Sequence, residues 1–453
     1  MLMGIQLQAH PTRNQKLILS QWMGCARFIW NAKCQDDNYL TTFARKFMPP
    51  DTYAPIDQKY SLYKDKELSP WLFDCPSQIL RNSAVNWYNT YQDFIKNLCG
   101  KPRIKKKDNK GSIHLTKELF RFEKCEDGVT RLFIGSQRNN IGFLSIKRHQ
   151  KFQEPKSIYI KKKNGRYTVS FVFDDGIDES ILMDQGSYFK ALSQSSREEL
   201  EQITIGIDRG VTRPVQAGED SFDFTPGQKK NKTGKEKYIK RLQNRLSKQK
   251  KGSRRRKRTK NKIARAYNKI VNIRKDFCHQ TSRKLINNPT AKVYIFEDLR
   301  TKNMTKSSKG SIENPGKNIK AKSGLNRVIL DKGWHMIEAF TNYKAHRAGK
   351  VIFKIPAQFT SQECAVCGQG LVSSPWDIHS GNRTSQALFL CLDCGNADNA
   401  DNNAQKVIKK RAINLILHSG TELSKRGVLL GKGRGACTYG CETSKKKELS
   451  KVA

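Results

Sequence analysis

Residues 203–211 read ITIGIDRGV. Alternation puts Ile203, Ile205 and Ile207 on one face of a strand and Thr204, Gly206 and Asp208 on the other, so a buried side separates from a side that carries an acid. Asp208 stands near the end of that strand. In KVYIFEDL, residues 292–299, the apolar run Val293, Tyr294, Ile295 and Phe296 reads as a second, buried strand. It delivers Glu297 at its carboxyl end, where open α/β sheets place their sites, with Asp298 on the other face as the rival acid. A third acid lies in NADNADNNAQKVIKKRAINLIL, residues 396–417. There Ala404, Ile408, Ala412 and Leu415 form one helical stripe and Asp401 starts the helix, with Asp398 just upstream as its rival. Strands alternating with helices across this half of the chain predict an α/β domain.

Each acid alone reads as a helix cap, a turn residue or an ion-pair partner. Together, in the order Asp, Glu, Asp at strand and helix ends, they point to phosphodiester hydrolysis. That reaction at neutral pH calls for a metal-activated water and a second charge on the leaving oxygen, supplied by two ions roughly 4 Å apart. Hard carboxylate oxygens suit Mg²⁺ or Mn²⁺.

Cys364-x-x-Cys367 and Cys391-x-x-Cys394, each followed by glycine, form two knuckles with 23 residues between them. Four thiolates at such spacing predict one structural, closed Zn²⁺ site, favoured over a redox role by the duplication. His379 in the intervening loop is the one further candidate ligand and reads as an exposed loop residue.

The chain of 453 residues carries 85 Lys and Arg against 41 Asp and Glu, a formal charge of +44. A charge of that size calls for a large polyanion, and a long nucleic acid fits better than a small acidic substrate. No apolar run has spanning length, and the opening MLMGIQLQAHPTRNQ lacks a signal-peptide stretch. The expectation is a soluble protein of the prokaryotic cytoplasm or nucleoid. Between Lys229 and Lys262 there are 18 Lys or Arg and one acid, Glu236, with Tyr238, Leu242 and Leu246 as a sparse apolar stripe. A second stripe, Ile263, Tyr267, Ile270, Arg274, Phe277, Thr281 and Leu285, docks the following helix, and GSRRRKR from Gly252 interrupts the pair. This density predicts phosphate binding, with Arg241, Arg245, Arg254, Arg255, Arg256 and Arg258 as contacts, joined by Lys101, Arg103 and Lys105 of KPRIKKK.

Toward the amino terminus, a strand at residues 5–8 precedes a capping box, Thr12 and Gln15, and a helix with Leu17, Trp22, Ala26 and Ile29 on one face. Ile79, Leu80, Ala84, Trp87, Tyr88, Tyr91 and Phe94 mark a second helix, whose aromatics read mainly as core. Short alternating segments from 119 to 173 predict a barrel or curved sheet, with Asn164-Gly165 as a type I′ turn. Residues 175–202, acidic and polar, read as a linker, and the Gly-, Lys- and Ser-rich residues 419–453, with Cys437 and Cys441, as a mobile tail.

GIDRGV, QNRLSKQKKGSRRRKR, IFEDLRTKNM, FTSQECAVCG and CLDCGNADNADNNAQKVI occur in the order found in TnpB proteins, RNA-guided nucleases of insertion sequences related to miniature type V CRISPR effectors. HPTRNQKLILSQWMGCARFIWN and PSQILRNSAVNWY also resemble that family, so the likeness runs from near residue 1 to about 418. It implies α/β plus β architecture: a RuvC-like RNase H fold with an inserted zinc ribbon, preceded by a β-barrel wedge domain carrying a helical insertion. The implied boundaries are 1–12 and 101–174 for the wedge, 13–100 for the helical recognition insertion, 175–202 for the linker and 203–360 for the nuclease. Within the nuclease fall the basic helices, 229–285, and a mobile lid, 301–324; the ribbon is 361–396, the final nuclease helix 397–418 and the tail 419–453.

The likeness also selects Asp208, Glu297 and Asp401 over Asp298 and Asp398 as the acids holding two Mg²⁺ (or Mn²⁺) ions, and maps Cys364, Cys367, Cys391 and Cys394 to the ribbon's Zn²⁺. The implied partners are a guide RNA, a double-stranded DNA target cut beside a short motif read by the protein, and the RNA–DNA heteroduplex, with no membrane and no required protein oligomer. The chain departs from the family at Arg209, where a small or apolar residue is commoner, in its long acidic linker and in an expanded ribbon loop, 371–390. The expected activity is metal-dependent, RNA-guided DNA cleavage. The alternatives are a nuclease-inactive RNA-guided repressor, which would have lost an acid, and a transposase proper, which would join ends.

Overall fold

A computed structural model describes the chain except for residues 44–45, 48–56, 108–109, 125–129, 369–381, 383–384, 386 and 432–453. The chain divides into two compact units, residues 1–178 and residues 179 onward.

In the first unit, β1 (Leu2–His10) is followed by α1 (Arg13–Thr42) and α2 (Ser77–Ile95). Then come β2 (Lys110–Thr116), β3 (Phe120–Lys124), β4 (Thr130–Gly135), β5 (Asn140–Lys147), β6 (Ser157–Lys163) and β7 (Arg166–Asp174). The strands form one antiparallel sheet in the order β2-β6-β7-β1-β5-β4-β3. Its end strands β2 and β3 are not paired with each other among the described residues, so the hydrogen-bonded order is open where a barrel was expected. β1 lies centrally because Ile5, Leu7 and Ala9 face the core while it pairs with β7 from Leu2↔Asp174 to Ala9↔Tyr167. Asn164 and Gly165 take φ of 52° and 80°, the two positive values of the predicted I′ turn, and Lys163 pairs with Arg166. The capping box forms as expected, with Gln15 N donating to Thr12 Oγ1 and Thr12 N to Gln15 Oε1.

The helices are not a separate body. Leu19, Trp22, Ala26 and Ile29 of α1 and Ile79, Leu80 and Ala84 of α2 share one core with the sheet. Trp87 and Tyr91 pack with Trp30 and Cys34, which makes them core as the sequence suggested.

In the second unit, the stretch expected to be a linker folds as α3 (Gln185–Leu192) and α4 (Arg197–Ile203). Its polarity misleads because the polar residues are caps: Asp184 accepts from Gly186 N and Ser187 N, and Ser196 with Glu199 forms a capping box. Leu192 and Leu200 are buried. The elements that follow are β8 (Thr204–Asp208), β9 (Val215–Ala217), β10 (Asp220–Phe222), α5 (Pro226–Ser247), α6 (Arg254–Ile286), β11 (Val293–Glu297), α7 (Thr301–Met304), α8 (Ile319–Lys332), α9 (Trp334–Arg347) and β12 (Val351–Ile355). Next come β13 (Leu388–Leu390), β14 (Ala397–Asn399), α10 (Ala400–Leu417), β15 (Thr421–Leu423) and β16 (Leu429–Gly431).

The main sheet runs β10-β9-β8-β11-β12, with β8, β11 and β12 parallel and β9 antiparallel to β8. On one side Ile207, Tyr294, Phe296 and Ile352 pack against Phe277 and Leu285 of α6 and Ile337 of α9. On the other, Val293, Ile295, Val351 and Phe353 pack against Ile408, Ala412 and Ile416 of α10 and against α3 and α4.

The segment expected as a lid, 301–324, holds α7 and the start of α8, with a Gly310–Pro315 bridge inside the loop between them. Gly333, with φ of 74°, separates α8 from α9. The first described part of the tail is also ordered: β15 and β16 form a hairpin, Leu429 is buried, and Val428 bridges to Lys354. Cys437, Cys441 and His379 lie outside the described residues.

Candidate functional site

The register of the parallel strands sets Ile207 opposite Phe296. One residue further along, Asp208 and Glu297 therefore end adjacent strands side by side. Alternation puts Glu297 on the face of Val293 and Ile295, and Asp208 on the face of Gly206; both are the face covered by α10. The helix approaches most closely at Gly206, where an added Cβ would collide with the Gln405 carbonyl and lie 2.9 Å from Lys409 N. Asp401 is one turn before Gln405. The far end of α10 is tied to α4 by Arg197 donating to Asn414 Oδ1 at 2.9 Å and by Lys409 donating to the Glu201 carbonyl. The helix thus runs back along β8, and its first turn comes over the strand ends that bear Asp208 and Glu297. Gly206→Ala is expected to cost about 1–3 kcal/mol by forcing α10 outward; an unchanged denaturation midpoint would show that the helix does not sit this close.

Asn399 caps α10 and accepts from Asp401 N at 3.1 Å, which fixes the first turn. Glu297 and Asp401 are 6% and 7% exposed. Burial pushes the Glu297 carboxyl up, against a hydrogen bond from Thr360 and the fields of Arg209 and Arg411. A buried carboxylate whose charge is opposed in this way, at the end of the strand next to the one bearing Asp208, suits a divalent cation as the compensating charge.

The rival acids are engaged elsewhere. Asp298 pairs with Arg426 at 3.1 Å. Asp398 pairs with Lys406 at 2.8 Å and accepts from Asn402; although burial works in the opposite direction, these partners hold its carboxyl below the ordinary range.

Arg209, the departure from the family pattern, is a buried structural residue. Its side chain is 1% exposed, pairs with Glu338 of α9 at 2.8 Å, donates to the Glu297 carbonyl and stacks 5.0 Å over Phe296. Nothing in the local sequence announces this, because Glu338 lies 129 residues away.

The four cysteines converge, with all four Sγ atoms within 4.8 Å of one another. Cys364 and Cys394 are 3.7 Å apart, and Cys367 and Cys391 3.6 Å. A tetrahedron with Zn–S bonds of about 2.3 Å has edges of about 3.8 Å, so the set fits that ion. Gly368 and Gly395 take φ of 74° and 68°, turning each knuckle. The Asn396 main-chain N–H, with the neighbouring thiols, holds the Cys394 thiol down to about 7. β13 and β14 form the ribbon and lead directly into α10.

The basic elements divide into free and committed charges. α5 and α6 pack through Ile239, Ala266 and Ile270, with Tyr238 half-buried against them, so Ile239 joins Leu242 as a buried anchor of α5, and Tyr267 is exposed. Arg241, Arg245, Arg254, Arg255 and Arg258 are exposed. Arg256 is not, because it donates to the Leu246 and Gln249 carbonyls and closes the end of α5. Lys101 is likewise paired with Asp37 at 2.8 Å. Arg103 and Lys105 belong to a strand of chain strapped along α1: Trp30 donates to the Arg103 carbonyl at 3.0 Å, and Asn31 bonds both main-chain groups of Lys105. Beside it lies a cavity of about 480 Å³, lined by Arg27, Lys106, Lys110, Lys161 and Lys163 with Tyr159.

Comparison with known proteins gives the class and then the family. The family described as "Probable transposase" (OrfB_IS605) matches residues 187–308, and "Cas12f1-like, TNB domain" matches 334–408. A "Helix-turn-helix domain" of the same OrfB group matches 1–33, which here form β1 and most of α1. "Putative RNA-guided DNA endonuclease InsQ" of Escherichia coli (strain K12) is 28% identical over 411 residues, 90% of this chain and 91% of that protein. "CRISPR-associated endodeoxyribonuclease Cas12f1" of Sulfoacidibacillus thermotolerans is 47% identical over 66 residues, 15% of this chain and 14% of that protein. A Cas12f1–sgRNA–target DNA complex solved by cryo-EM shares the fold with a TM-score of 0.52 and 13% identity, covering 90% of this chain and 98% of that one. The chain is thus similar to TnpB-type proteins along most of its length, with family matches over residues 1–33, 187–308 and 334–408.

Proposed function

We propose that this protein is an RNA-guided DNA endonuclease whose second unit is a RuvC-like, RNase H-type nuclease with Asp208, Glu297 and Asp401 as its catalytic acids. The observation that carries the reading is the side-by-side end of β8 and β11, with Asp208 and Glu297 on the face that α10 covers and Asp401 buried in the first turn of that helix. The names of the relatives and the likeness to TnpB proteins support RNA guidance and DNA as the substrate. The first unit takes the wedge and recognition roles, and the four cysteines hold one Zn²⁺ that serves structure.

When bound by the three acids, a pair of Mg²⁺ or Mn²⁺ ions supplies an activated water and charge at the leaving oxygen. The chain's own contribution is orientation. Asn399 fixes the first turn under Asp401, Thr360 holds one oxygen of Glu297, and Arg209 bridges the strand end to α9. Exposed arginines of α5 and α6 hold phosphates. No helix among the described residues is long and apolar enough to cross a membrane.

Five phosphate contacts from Arg241, Arg245, Arg254, Arg255 and Arg258 predict a fall in nucleic-acid affinity of roughly 10²- to 10³-fold between about 50 and 200 mM salt. Replacing Arg254, Arg255 and Arg258 with Gln flattens the log–log slope by roughly 3, while Arg256→Gln, which loses a helix-end bond, acts on stability instead. Equal slopes for the triple variant and the parent would remove these residues from the interface.

The guided reading is tested by sequencing the RNA that copurifies with the protein. A discrete species is expected; a random sample of cellular RNA contradicts the reading, and transposon-end joining by the purified protein would favour a transposase proper.

A further inference from the structure

The loop that carries the first cysteine pair also reaches the carboxylate centre. Phe359 adopts a left-handed backbone with φ of 59°, a conformation that non-glycine residues keep only where their surroundings enforce it. Its carbonyl accepts from Gln362 N at 3.0 Å and Glu363 N at 3.1 Å. The turn directs Thr360, 3% exposed, at Glu297, and the hydroxyl donates to Glu297 Oε1.

The same loop is fastened to α10. Glu363 is buried and pairs with Arg411, and its carbonyl accepts from Asn403 Nδ2 at 2.7 Å. Asn403 Oδ1 in turn accepts from Ala365 N, the residue after Cys364, at 3.0 Å. One short segment therefore links a cysteine ligand, the helix bearing Asp401 and the carboxylate of Glu297. A carboxylate's terminal torsion is broad when nothing holds it, so a donor on one oxygen gives the other a defined direction.

We propose that Thr360 is a positioning residue for the metal centre: its hydroxyl sets the rotation of the Glu297 carboxylate, and the cysteine cluster keeps Thr360 in place through the turn at Phe359. The proposal rests on Glu297 being a metal ligand. It makes the two cation sites mechanically dependent, although the cysteine site is closed.

The test is a Mn²⁺ titration of the purified full-length RNA-bound protein, with free Mn²⁺ read from its paramagnetic resonance signal. The same complex carrying Asp208→Ala gives the baseline for ions held by RNA. Removing an outer partner of a metal ligand typically costs 10- to 100-fold in affinity, so Thr360→Val is expected to raise the half-saturating Mn²⁺ concentration by about 10-fold or more. Thr360→Ser, which keeps the hydroxyl, restores it. Zinc content, measured on the same samples, stays at the parent value.

An unchanged half-saturation in Thr360→Val, or a Ser variant as impaired as Val, overturns the proposal. If Thr360→Val sheds its zinc, Thr360→Ala takes its place, and full zinc with unchanged half-saturation in that variant overturns the proposal equally. Glu297→Ala separates the two levels. If it leaves Mn²⁺ binding intact, the ligand reading itself fails; if it abolishes binding while Thr360→Val does nothing, only the positioning role fails.

Discussion

Asp208→Ala is expected to lower the rate of target cleavage by about 10³-fold or more while leaving RNA and DNA affinity at the parent level. The separation follows from where the residue sits. Asp208 ends β8 on the face under α10, whereas the exposed arginines proposed as phosphate contacts are on α5 and α6. Removing the carboxylate takes nothing from the core, since Ile207 on the opposite face does the packing. The measurement pairs a cleavage time course with an equilibrium binding curve at one salt concentration. Cleavage at parent rate would remove Asp208 from the centre, and lost binding would mean that the residue holds structure. Glu297→Ala carries a further expectation: removing a buried acid leaves Thr360 and the fields of Arg209 and Arg411 without their anionic partner, so its thermal midpoint shifts as well.

The second large effect belongs to the cysteines. Cys364 and Cys391 are buried with Phe389 and Ala400 in one small cluster, and Ala400 is the residue before Asp401. So small a cluster is not self-supporting, and a structural zinc supplies folding free energy on the order of 10 kcal/mol in the smallest domains. Cys391→Ser is expected to lose the bound zinc, lower the thermal midpoint and reduce cleavage together, because β14 runs straight into the first turn of α10. Metal analysis, a melting curve and a cleavage assay on one preparation test this. Full activity in a zinc-free variant would show that the ribbon and the carboxylate centre are independent.

The elements that carry the three proposed acids were legible because their signals are local. A period of two in ITIGID and an apolar run before Glu297 predict strands that end in acids, and the apolar stripe after Asp401 predicts the helix above them. What the sequence hid was set by partners distant in the chain. Arg209 looks like an exposed charge until Glu338 is beside it. Lys101 and Arg256 look like phosphate ligands until Asp37 and the Leu246 carbonyl take them. The acidic segment before residue 203 reads as solvent-loving linker because its acidic and polar residues, among them the caps Asp184, Ser196 and Glu199, hide the buried Leu192 and Leu200. β9, β10, β15 and β16 span three residues each, too short for alternation to show, and are held by pairing to neighbours.

Asp298 and Asp398 show where family likeness and physics meet. The register of the family set them aside by position alone. In the fold each has a cation within 3.1 Å, Arg426 for the first and Lys406 for the second, which agrees with that choice.

The most direct test of RNA-guided cleavage is linearisation of a plasmid, in Mg²⁺, by the purified protein carrying its copurified RNA. The plasmid holds a match to that RNA, and the control is the same plasmid with the match scrambled. Linear product from the matched plasmid alone, lost after RNase treatment, is the predicted result; equal cutting of both plasmids, or cutting that survives RNase, would contradict it.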